Sequence, residues 1–72
     1  MKTTDVNLRV CATGHLNVGV GDRIRQGDLL YTGPGPQEQR TSPVSGIVRD
    51  IQFDPGNHEF VIRVTPTGKP GL

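Results

Sequence analysis

Tryptophan is absent from this chain, and only one tyrosine and two phenylalanines are present. Stacking platforms for single-stranded nucleic acid are therefore nearly missing. A single cysteine, Cys11, excludes an intramolecular disulfide framework and any four-cysteine zinc site. Apolar runs such as Leu29-Leu30 and Ile47-Val48 fall far short of a membrane span, so none is expected. The stretch from Met1 to Asn7 is polar and does not supply the apolar core of a signal peptide. Without disulfide staples or an export signal, a cytoplasmic location is expected. Neither sign of charge dominates, at eight basic against seven acidic residues, so there is neither a basic stripe nor an acidic tail. Arg9, Arg23, Arg25, Arg40, Arg49 and Arg63 suit phosphate, but Asp22, Asp28, Asp50 and Asp54 are interleaved with them. Nucleic-acid binding by a small barrel is thereby disfavoured and stands only as an alternative.

Seventy-two residues, 32% of them hydrophobic, make one domain with a thin core. A chain of this length buries roughly 60% of the surface its unfolded form exposes. An enclosed ligand cavity of roughly 300–1,000 Å³ is not expected within it.

Glycine and proline, by contrast, are plentiful, at ten and six residues spread along the whole length. They leave no room for a long helix. Between them, Val6, Leu8, Val10 and Ala12 alternate with polar residues at the period of a half-buried strand. Val18 and Val20 form a second alternating pair, and Ile24, Leu29 and Leu30 follow across the turns Gly21-Asp22 and Gln26-Gly27-Asp28. Residues 46–53 carry Ile47, Val48, Ile51 and Phe53, a strand that changes face partway through a bulge. Asp54-Pro55-Gly56-Asn57 signals a hairpin with positive φ at Gly56. Phe60, Ile62 and Val64 alternate after it. The expected fold is all-β, a small sandwich or barrel over residues 1–72, ordered over about 6–65 with a loose tail at 66–72. Ile24, Leu30, Val48, Ile51, Phe60 and Ile62 are the expected core.

One segment breaks the rhythm. Gly33, Pro34, Gly35, Pro36, Gln37, Glu38, Gln39 and Arg40 include no large apolar residue. They read as a surface loop, and as a candidate partner contact, because proline preorganises a loop and lowers the entropic cost of docking.

Two phrases carry a resemblance. Val20-Gly21-Asp22-Arg23-Ile24-Arg25-Gln26-Gly27-Asp28-Leu29-Leu30 precedes Ser42-Pro43-Val44-Ser45-Gly46-Ile47-Val48-Arg49-Asp50-Ile51. In order and spacing they resemble the biotinyl/lipoyl-like family, whose fold is a barrel-sandwich hybrid. The resemblance implies that Ile24, Leu29 and Leu30 face inward. Asp22 and Asp28, each behind a glycine, are turn formers, not catalysts. Carrier members of that family bear a modified lysine on an exposed hairpin between the phrases. Here the matching stretch, from Tyr31 to Thr41, has no lysine, and Lys2 and Lys69 lie in the presumed tails. Arg40 does not substitute, since guanidinium is not a usable acylation nucleophile. The C-terminal stretch Gly56-Asn57-His58-Glu59-Phe60-Val61-Ile62 is more similar to non-carrier relatives in electron-transfer subunits and membrane-fusion proteins, and His15 is similar to the former. The resemblance thus implies an unmodified, non-catalytic module without a cofactor, docking on a protein partner or larger enzyme complex. A carrier modified at an unorthodox lysine is the alternative. The exposed strand edges also favour a homo-oligomer.

Reactive groups are few. Cys11 and His15 would act as a nucleophilic pair only within hydrogen-bond reach and with a third, orienting group. Cys11, His15 and His58 lack the close spacing of metal ligands. No catalytic, cofactor or metal residue is assigned.

Overall fold

Alternation at Val6–Val10 and again at Phe60–Val64 dictates two strands with one face inward. The computed structural model, which describes residues 4–35 and 38–67, forms strands at both. The elements are β1 (Val6–Cys11), β2 (His15–Leu16), β3 (Arg23–Ile24), β4 (Leu29–Thr32), β5 (Gln39–Thr41), β6 (Gly46–Asp54) and β7 (Glu59–Pro66). The fold is all-β, and the described residues include no helix long and apolar enough to cross a membrane. Two antiparallel sheets form, in the strand orders β1-β7-β6-β3 and β2-β4-β5.

The pairing is nested. Val6 faces Val64, Arg23 faces Ile47 and Leu29 faces Thr41, each pair equidistant in sequence from Gly35. The β4–β5 hairpin is therefore the bend about which most of the chain doubles back. The β6–β7 hairpin is a second reversal. Its Asp54 Oδ1 accepts the N–H groups of Gly56 at 3.0 Å and Asn57 at 3.4 Å. The positive φ falls on His58 (54°) and not on Gly56 as the sequence implied. Four residues separate the strands here, a length built around a tight turn that needs its left-handed residue last.

The bulge in β6 is present. Register against β7 slips between Val48 and Asp50, leaving Arg49 as the extra residue. Val48 and Ile51 consequently both point to the core. That core consists of Val10, Ile24, Leu30, Tyr31, Val48, Ile62 and Val64. Of the expected members, Ile51 and Phe60 sit at its margin, packed against it but only half-buried.

Three readings are corrected. Leu29 is 40% exposed, because a register shift between Leu29 and Tyr31 turns Leu30 and Tyr31 inward in its place. Val18 and Val20 do not form a strand, and Val20 is 63% exposed. Their segment is bent by a turn in which Asp22 N–H donates to Gly19 C=O (3.1 Å) and Gly19 N–H donates to Asp22 Oδ2 (2.7 Å). Finally, β7 runs on through Pro66, and Thr67 N–H donates to Ser45 C=O at 3.0 Å, so order continues past the expected start of the tail.

The same turn recurs six residues later. Asp28 N–H donates to Arg25 C=O (2.9 Å), and Arg25 N–H donates to Asp28 Oδ2 (2.8 Å). The third residue of each turn is a glycine at positive φ, Gly21 at 94° and Gly27 at 92°, as this turn geometry requires. Each turn is then clasped by one residue of the second phrase. Gly21 N–H donates to Val48 C=O and Val48 N–H to Asp22 C=O, at 2.8 and 2.9 Å. Gly27 N–H donates to Ser42 C=O and Ser42 N–H to Asp28 C=O, at 2.7 and 2.8 Å.

Candidate functional site

The segment singled out for its lack of apolar residues is the tip of the β4–β5 hairpin. Gly33 N–H donates to Glu38 C=O at 2.7 Å, and Glu38 N–H donates to Gly35 C=O at 3.1 Å, so the tip is closed by its own backbone. A side chain on Gly33 would overlap Glu38 Cβ, which fixes glycine there. Pro34 and Glu38 are exposed at the tip. Gln39 and Arg40 are not loop residues as the sequence implied. They belong to β5, opposite Thr32 and Tyr31. Nothing apolar marks β5 as a strand, because all three of its residues are exposed. Pro36 and Gln37 lie outside the described residues, as do Lys2 and Lys69.

What holds the hairpin upright is a residue that sequence reasoning missed. Tyr31 is 2% exposed, and its hydroxyl donates to Cys11 C=O at 2.5 Å. The phenol occupies the space where Gly14 would carry a side chain, so the turn between β1 and β2 closes directly over it. The available signal was a lone tyrosine bordering a Gly/Pro segment in a core poor in aromatics. A buried hydroxyl of that kind needs a partner. A second anchor lies at the base of β5, where Ser42 is 2% exposed and its hydroxyl bonds Val44 C=O.

Open depressions flank the hairpin. One is bordered by Arg9, Cys11, Tyr31, Glu38, Arg40 and Glu59, the other by Thr13, Gly14, His15, Thr32, Gly33 and Pro34. On the first side Arg9 Nη1 meets Asp54 Oδ2 at 3.2 Å and Glu59 Oε1 at 3.3 Å. These bonds, the one to Asp54 foremost, hold the guanidinium above its ordinary pKa. Asp54 is held below the usual carboxylate range, first by the Asn57 side-chain amide and then by Arg9. Arg40 forms no ion pair among the described residues, and it borders the first depression together with Glu38.

The residues weighed for chemistry fall apart in space or into structural roles. Cys11 is exposed, and its polar neighbour is Thr13 (Sγ to Oγ1, 3.0 Å) and not His15. His58 stands edge-on to Phe53, with ring centroids 5.8 Å apart. Among the described residues, no three His, Cys, Asp or Glu side chains gather as metal ligands would. Asp22 and Asp28 are committed to the paired turns. Compared with known protein families and with curated protein sequences, the chain matches none.

Proposed function

We propose that this protein is an unmodified, non-catalytic, biotinyl/lipoyl-like module of barrel-sandwich type, acting in the cytoplasm by docking on a protein partner within a larger complex. The observation that carries this reading is the β4–β5 hairpin. Its tip is closed by backbone hydrogen bonds and its base is keyed by a buried tyrosine, while polar side chains are displayed outward. A hairpin braced in this way at its neck and base loses less entropy on binding than an unbraced loop. The family reading is supported by the clasp between the two phrases. Each Gly-Asp turn of the first is bonded reciprocally to a single residue of the second.

The test is affinity capture from the native host. The wild-type protein is compared with a variant in which residues 34–39 are replaced by a two-residue turn, and the bait is weighed intact. A stoichiometric partner held by the wild type and lost by a variant of unchanged melting temperature is expected. Equal capture by both sinks the hairpin as the contact, and added covalent mass on the bait makes the protein a carrier.

A further inference from the structure

Among the described residues, four strands stand at the edges of the two sheets, and they are unequal. β2 and β3 are two residues long, and β5 has three residues with a register shift against β4. Short length and irregularity are the usual defences of an edge strand. β1 has neither. It runs six residues in unbroken register with β7, without proline, lysine or glycine. Its one charged side chain, Arg9, pairs over its own sheet with Asp54 and Glu59 while staying 55% exposed.

The ladder also shows which backbone groups face outward. Ala12 N–H donates to His58 C=O, continuing the β1–β7 register. Antiparallel partners exchange hydrogen bonds at every second residue, so Val6, Leu8 and Val10 are bonded to β7. Asn7, Arg9 and Cys11 therefore present their N–H and C=O groups at the edge. The Cys11 carbonyl is already taken, by the Tyr31 hydroxyl and by Gly14 N–H. Asn7 and Arg9 keep both groups free among the described residues.

We infer that a second copy of this chain pairs with β1, antiparallel and about a twofold axis at Leu8. Three constraints select that register. Directly opposed residues share a face, so registers that set Leu8 against Arg9 are excluded. Centring on Arg9 opposes two guanidinium groups, which is destabilising. Centring on Asn7 sets it against itself and leaves Arg9 facing Asp5 at the end of the strand, with only one residue exchanging backbone bonds in the middle. Centring on Leu8 brings together the two residues with free groups, Asn7 opposite the partner's Arg9 and the reverse, for four backbone hydrogen bonds. The half-buried Leu8 meets the partner's Leu8, and Val6 stands opposite the partner's Val10, which its own core already buries. The twofold makes the contact closed and self-limiting. It stands independently of the hairpin reading, since it uses a different strand.

Analytical ultracentrifugation of the full chain across a concentration series tests it. The wild type is expected to dimerise reversibly. Asn7→Pro removes an outward N–H that β7 does not use, so it is expected to give a monomer with an unchanged far-UV spectrum. Asn7→Asp, opposite the partner's Arg9, is expected to tighten the dimer about fivefold over its two symmetric pairs, and Asn7→Lys to weaken it by a similar factor. A wild type that stays monomeric to millimolar concentration overturns the proposal. So does a dimer indifferent to all three substitutions. If Asn7→Pro unfolds, the opposite signs of the Asp and Lys variants still decide the register.

Discussion

Tyr31 does two jobs with one side chain, filling the core with its ring and anchoring a turn with its hydroxyl. Tyr31→Phe keeps the first and removes the second. Because Cys11 C=O retains the Gly14 N–H at 3.3 Å, the carbonyl is not orphaned, and the expected cost is about 0.5–1.5 kcal/mol. Gly14→Ala drives a methyl group into the phenol and should cost more, about 1–3 kcal/mol. Thermal denaturation resolves the two, at roughly 4–8 °C per kcal/mol for a domain of this size. Asp54 gives a second prediction, in pH. Its folded pKa lies below the ordinary 3.8, so the folded state binds fewer protons than the unfolded chain near that value. Its contribution is complete above the ordinary value and is lost as pH falls through the depressed one. Melting temperatures measured from pH 5 to pH 2 should fall less steeply for Asp54→Asn than for the wild type.

At the scale of elements, the paired turns make the cleanest case. Apart from their chain neighbours, nothing lies within 4 Å of where a side chain on Gly21 or Gly27 would begin, so an alanine there meets only the cost of positive φ. Each of Gly21→Ala and Gly27→Ala should cost about 1–2 kcal/mol. The two turns are clasped by different residues, Val48 and Ser42, so the double variant should cost close to the sum in a urea titration. Those turns were legible in the sequence because Gly-Asp chemistry is local, and so was the bulge, because Val48 and Ile51 fit one face only with an extra residue between them. Leu29, Val20 and β5 were not legible. The shift that exposes Leu29 arises in pairing with a strand ten residues away, and β5 is wet on all its residues, so no hydrophobic period marks it. The site divides the same way. The tip was visible as a Gly/Pro segment, whereas its support was not, because the Tyr31–Cys11 bond joins residues twenty apart.

At the scale of the whole molecule, most of the described chain doubles back about Gly35, and this bears on how it assembles. The entropy of closing a loop grows only as about 1.5RT ln n, but it is charged on the segment still loose when the ends meet. Once Leu29 meets Thr41, five residues on each side separate that pair from Arg23–Ile47, and eleven on each side separate Arg23–Ile47 from Cys11–Glu59, where the ladder out to Val6–Val64 begins. Leu30→Ala is therefore expected to slow refolding in a chevron experiment, whereas Val6→Ala should mainly speed unfolding. A ladder that joins strands near opposite ends of the described chain is reached through a succession of small closures, and the hairpin proposed as the partner contact is also where those closures are expected to start.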